Sequence, residues 1–163
     1  MSNELQQNIA RSEQNSGRSG DISPQLLSEI LGQRFAPTKQ QAAIIGAEPG
    51  PLLVVAGAGA GKTETMAARV VWLVANGYAL PEEVLGLTFT RKASQELAKR
   101  IRDRLQVLRD SPRLPEIDPD GRLRANLETI APRVSTYDSY AGDLVREYGL
   151  LLPVEPTLSL IHI

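Results

Sequence analysis

Apolar and polar positions along this chain follow periods that change from one segment to the next. Residues 1–21 are rich in Ser, Asn, Gln and Gly with scattered apolar positions. Such a stretch buries too little apolar surface to offset the cost of ordering, which predicts a disordered N-terminal extension over residues 1–22. From Ser23 the pattern turns helical. Ser23-Pro24 reads as an N-cap followed by Pro at the first helical position, and Leu26, Leu27, Ile30 and Leu31 form a face that ends at Gly32. A second helix opens at Pro37 or Thr38 and closes near Gly46, and Glu48-Pro49-Gly50-Pro51 is a turn.

Leu52-Leu53-Val54-Val55-Ala56 is apolar throughout, as in strands buried on both faces of a parallel sheet. Lys62 to Ala75, with Met66, Val70, Val71, Leu73 and Val74, predicts a helix stopped by Asn76-Gly77. Pro81-Glu82-Glu83 leads into a second buried strand, Val84 to Phe89. Strand, loop, helix and strand make one βαβ unit, expected to be right-handed. Ala93, Leu97, Ile101, Leu105 and Leu108 then mark one face of a long helix. Residues 110–132 read as loop at first, Val134 to Tyr137 as a third short strand, and Ser139 to Tyr148 as a helix ended by Gly149. The fold class this predicts is α/β with a parallel sheet.

Composition narrows the chemistry. The 163 residues are 42% hydrophobic and 23% charged, enough for one packed domain, and at 4% aromatic the core must be largely aliphatic. There is no cysteine, which excludes a disulfide scaffold, a Cys-ligated zinc site and a cysteine nucleophile. The single histidine, His162, excludes a histidine-rich metal site and leaves little room for a Ser-His-Asp triad. No apolar run is long enough to cross a membrane and no signal core follows the start, so the cytoplasm is the default location. Net charge is −1, yet Arg91 to Arg113 holds eight basic residues against three acidic ones. On charge alone that stretch reads either as a polyanion-facing surface or as a solvated helix face.

The strongest chemical signal is Ala56-Gly57-Ala58-Gly59-Ala60-Gly61-Lys62-Thr63. It fits the phosphate-binding P-loop G-x-x-x-x-G-K-[ST] at every position but the first. Glycines let backbone N–H groups turn inward around phosphates, and the helix that follows presents free N–H groups and a favourable dipole. Lys62 supplies a positive charge for the β- and γ-phosphates, and the Thr63 hydroxyl can ligate Mg²⁺. ATP and Mg²⁺ are the expected cofactors, with Lys62 and Thr63 in the catalytic roles.

The string Thr38-Lys39-Gln40, the P-loop beginning with Ala56, and Leu87-Thr88-Phe89-Thr90-Arg91-Lys92-Ala93 together resemble the superfamily one DNA helicases of the UvrD, PcrA, Rep and RecB type. "GLTFTRKASQEL" looks like that group's motif Ia and "VSTYDSYAGDLVREYG" like its motif Ib. Within the group the wording is most similar to the AdnB-like actinobacterial helicase–nucleases. The resemblance runs from about Phe35 to about Pro156. It implies a P-loop NTPase with a RecA-like parallel sheet, acting on single-stranded DNA in repair or recombination. It also implies a further partner for the intact protein, a second helicase–nuclease subunit.

Carried over by position, the resemblance implies that Gln40 holds the adenine edge; without it, Gln40 is a surface glutamine on a helix. It implies that Phe89 contacts a DNA base, against the alternative of a core Phe at a strand end. Thr88, Thr90, Arg91 and Lys92 match the loop that faces the strand. Thr136, Tyr137, Asp138, Ser139 and Tyr140 match motif Ib, against the alternative of tyrosines packed under a short helix. Two positions depart from the pattern. Glu64 stands where many members have Arg, and Asp138 where many have His. No D-E-x-x-D run follows before Ile163. The chain therefore reads as a truncated piece: residues 23–156 a partial helicase ATP-binding domain (the first part of motor domain 1A and the beginning of the 1B insertion), and residues 157–163 an atypical tail. Such a piece is expected to be inactive alone. The P-loop by itself also fits a kinase or phosphotransferase, or a non-catalytic nucleotide-binding fragment.

Overall fold

The computed structural model describes residues 22–57, 59, 61–129 and 132–149. The expected N-terminal extension over 1–21 and the tail over 157–163 lie outside them. Helix α1 (Pro24–Ile30) starts as predicted, with the Ser23 side chain accepting from the Leu26 N–H and Pro24 at the first position. Helix α2 (Lys39–Ile45) is opened by Thr38. Helix α3 (Lys62–Ala75) has the predicted bounds. After a 3₁₀ turn at Pro81–Glu83 come β1 (Leu85–Thr88), the 19-residue α4 (Arg91–Arg109), two short helices α5 (Leu114–Ile117) and α6 (Arg122–Thr129), β2 (Arg133–Thr136) and α7 (Tyr137–Tyr148).

Strands β1 and β2 pair in parallel, with Leu85 opposite Arg133 and Thr88 opposite Thr136. They are the only strands among the described residues. The strand predicted over 52–56 does not form. That segment has no ladder partner, and Leu53 and Val55 are 89% and 90% exposed. A strand is defined by the neighbour that takes up its N–H and C=O groups, and an apolar run by itself supplies no neighbour. The observed parallel pair instead spans α4 to α6, from β1 to β2. Residues 110–132 are more ordered than their Pro, Asp and Gly content predicts. The Asp118 carboxylate accepts from the Leu123 and Arg124 N–H groups at 3.1 and 2.9 Å, which starts α6.

The core is built between helices. Leu27 and Ile30 of α1, Ala67, Val71, Trp72 and Val74 of α3, and Leu97, Ile101, Leu105 and Leu108 of α4 are buried together. The α4 stripe matches the predicted one from Leu97 onward, whereas Met66 of α3 is exposed. Two polar contacts hold the frame. Trp72 donates its indole N–H to the Ile22 carbonyl at 2.6 Å. Arg69 donates to the carbonyls of Ile44, Ile45, Ala47 and Glu48, closing the end of α2 and the turn that leads to the glycine-rich loop. Burial lowers the Arg69 pKa from its ordinary value. No helix among the described residues is long and apolar enough to cross a membrane.

Candidate nucleotide and nucleic-acid site

The glycine-rich loop delivers the chain into α3 through left-handed backbone. Gly59 has φ +75° and Gly61 φ +71°, values that L side chains rarely adopt. Helices α1, α2, α4 and α7 are each N-capped by a Ser or Thr hydroxyl. Helix α3 begins at Gly61 with no side-chain cap, so its first N–H groups face the loop without an internal acceptor. Lys62 is exposed and donates to the carbonyls of Ala56 and Gly57 at 3.0 and 2.7 Å. Thr63 is half-buried in the first turn. Ala58 and Ala60 lie outside the described residues. No cluster of three His, Cys, Asp or Glu side chains suited to a metal ion occurs among the described residues.

Beside that first turn is a cleft of about 500 Å³, lined among others by Phe35, Gln41, Glu64, Thr65 and Arg104. Gln40 is exposed and does not line it. Its neighbour Gln41 does. The Gln41 side chain accepts from the Thr38 N–H at 3.0 Å while the Thr38 hydroxyl accepts from the Gln41 N–H, a capping box. Gln41 also stands against the loop, since a Cβ added to Gly61 would lie 3.2 Å from its Nε2. One residue along a helix turns the side chain by about 100°, so residues 40 and 41 face different surroundings. The signal in the sequence was Thr38 as N-cap, which puts the paired Gln three residues on.

Glu64 occupies the same turn of α3. Its carboxylate is ion-paired with Arg100 at 2.7 Å and with Arg104, and Arg104 also donates to the Glu64 carbonyl at 3.1 Å. The Arg104 side chain is only 14% exposed, and burial lowers its pKa. Much of the basic stretch is engaged in this way. Lys99 pairs with Asp103, Arg109 with Asp110, and Arg113 with Glu116 and Glu29. Arg91, Lys92 and Arg102 have no ion pair among the described residues.

The parallel register settles where the motif Ia and Ib segments lie. With Thr88 opposite Thr136, the carboxyl ends of β1 and β2 coincide. The rings of Phe89 and Tyr137, the next residues, are 5.1 Å apart at 38°. Phe89 is 88% exposed, which rules out the core alternative, and Tyr137 is half exposed. Thr90 and Thr136 are helix caps, accepting from the Ala93 and Ser139 N–H groups, and Thr88 donates to the Thr90 carbonyl. The Thr136 and Ser139 hydroxyls bond each other at 2.8 Å. Arg91, Lys92 and Asp138 are exposed at the starts of α4 and α7, while the Tyr140 ring lies under the Arg133 guanidinium at 5.7 Å. Two helix N-termini, two exposed cations and an exposed ring pair therefore share one edge.

The family model described as the UvrD/REP helicase N-terminal domain matches residues 37–162 of this chain. DNA helicase IV of Escherichia coli is 43% identical over 79 residues, 48% of this chain and 11% of that protein. ATP-dependent DNA helicase PcrA of Bacillus subtilis is 40% identical over 80 residues, 49% and 10% of the two chains. An ATP-dependent helicase/nuclease subunit from Lactobacillus gasseri is 32% identical over 126 residues, 76% and 10%. The chain thus spans about a tenth of the length of these curated relatives.

Proposed function

This chain belongs to the UvrD/REP helicase N-terminal domain family, and from that premise we propose that it is the ATP-binding and single-stranded-DNA-binding segment of an ATP-dependent DNA helicase acting in repair or recombination. The observation that carries the nucleotide part is the uncapped start of α3. Four other helices close their own N-termini with a hydroxyl, whereas this one is opened by left-handed Gly61 and leaves its N–H groups and dipole toward the loop. These groups fit a triphosphate. Lys62 exchanges the carbonyls of Ala56 and Gly57 for phosphate oxygens when nucleotide binds, and Gln41 offers a purine edge one donor and one acceptor. The Thr63 hydroxyl is the ligand this segment contributes to Mg²⁺, which when bound neutralises charge on the phosphates.

The DNA part rests on the shared edge of β1 and β2. Phe89 and Tyr137 give bases an exposed stacking surface that tolerates any sequence, and Arg91 and Lys92 are exposed cations for the backbone. Thr88, Thr90, Thr136 and Ser139 shape the two loops through their hydroxyl bonds, with Asp138 and Tyr140 beside them. We place residues 23–156 in the first motor lobe and the intact protein in the cytoplasm. The long alignment with a helicase/nuclease relative supports an AdnB-like affinity and, as partner, a second subunit. Because the 163 residues hold no D-E-x-x-D run, this chain alone is expected to show negligible ATPase.

The test is titration calorimetry with Mg-ATP on the wild-type chain and Lys62→Ala, alongside anisotropy with a labelled oligo-dT. Binding of both ligands with ATP affinity sharply reduced in the variant supports the function. Equal ATP affinity in the two proteins removes the loop from the nucleotide site.

A further inference from the structure

Glu64 is the one side chain that belongs both to the nucleotide-facing turn and to the contact with the helix leading to the DNA edge. It directly follows Thr63 in the first turn of α3 and lines the cleft together with Gln41. Its carboxylate is held from across the interface by Arg100 and Arg104, which lie four residues apart on one face of α4. Arg104 adds a third bond, to the Glu64 backbone carbonyl, so the turn itself and not only its side chain is tied to α4. The cation nearer the N-terminus, Arg100, is about half exposed, and the deeper one, Arg104, largely buried.

From Arg100 to Arg91 is nine residues of continuous helix, roughly 14 Å of rigid rod at 1.5 Å per residue. The same helix is pinned along its buried stripe by Leu97, Ile101, Leu105 and Leu108, so a push at Arg100 and Arg104 moves it as a unit. Its first residues are the exposed Arg91 and Lys92, immediately after Thr90 and Phe89. A phosphate group arriving at Lys62 brings negative charge close to the Glu64 carboxylate. That charge competes for the same two guanidiniums.

Resting on the nucleotide reading above, we propose that Glu64 is a positioning residue that couples nucleotide occupancy to DNA affinity through its ion pairs with Arg100 and Arg104. Coupling of this kind is a ratio of affinities and is reciprocal between the two ligands. The test measures oligo-dT affinity of the full chain by anisotropy, with and without saturating Mg-AMPPNP. In the wild type the nucleotide is expected to shift that affinity by about fivefold or more. In Glu64→Gln the shift falls below about twofold, while Glu64→Asp, which keeps the charge, restores part of it. Arg100→Gln with Arg104→Gln removes the pairs from the α4 side, leaves the P-loop untouched, and is expected to give the same loss.

Melting temperatures on every variant separate a mere staple from a coupler. A lower melting temperature with an unchanged ratio overturns the inference. A wild-type ratio near one, with both ligands bound, overturns it and leaves the nucleotide reading standing. If the wild type binds no AMPPNP, the nucleotide reading falls and the inference with it. Should Glu64→Gln fail to bind nucleotide, the double variant decides by the same criterion.

Discussion

Phe89 and Tyr137 lie 48 residues apart in the chain and meet ring to ring, with centroids 5.1 Å apart. The parallel register that places Thr88 opposite Thr136 makes this contact, because each ring is on the residue directly after its strand. Phe89→Ala is expected to weaken oligo-dT binding by about 1–3 kcal/mol with little change in salt slope, since stacking releases no counterions. The melting temperature should hold, because the ring is exposed. Tyr137→Ala should couple to it: the double variant should cost less than the two single effects together. Strict additivity across that cycle would count against a shared stacking surface.

Charge on α4 divides into paired and unpaired groups. Arg91→Ala and Lys92→Ala should each lower the salt slope of oligo-dT binding by about one, as expected for a residue neutralising one phosphate. Lys99→Ala should change it less, because Lys99 is already paired with Asp103. Anisotropy titrations at several salt concentrations give the slopes directly, and equal slopes for all three variants would return the basic stretch to a solvated helix face.

Gly61 is required by its backbone. Gly61→Ala places a Cβ at φ +71° and 3.2 Å from the Gln41 amide. The left-handed conformation alone should cost about 1–2 kcal/mol, read as a shift in the urea midpoint. Adding Gln41→Ala removes the contact but not the backbone strain, so only part of the loss should be recovered.

Arg69 makes four bonds to carbonyls at the end of α2 and in the turn beyond it. Arg69→Met keeps the aliphatic stem and strips the donors. Charge-assisted bonds to otherwise unpaired carbonyls, discounted because the guanidinium is only half-buried, set the expected loss at about 1–3 kcal/mol. Chemical denaturation measures it. ATP affinity should weaken in parallel if this clamp fixes the turn that precedes the loop.

Local pattern was enough for the helices and for the chemistry of the loop. The bounds of α3, the Ser23 and Thr38 caps, the buried stripe from Leu97 to Leu108 and the string from Ala56 to Thr63 all depend on residues within a few positions of one another. Helical periodicity, capping and the φ demands of glycine act at that range. Tertiary structure alone decided the rest. Whether 52–56 is a strand depends on a neighbour, and no pairing partner occurs among the described residues. Whether Phe89 is core or surface depended on what packs over β1. The choice between Gln40 and Gln41 depended on which side of α2 faces the loop. The meeting of Phe89 with Tyr137, and of Glu64 with Arg100 and Arg104, follows from the register of a parallel pair and the packing of two helices. Those are long-range relations, and apolar periodicity carries no record of which distant partner a residue will meet.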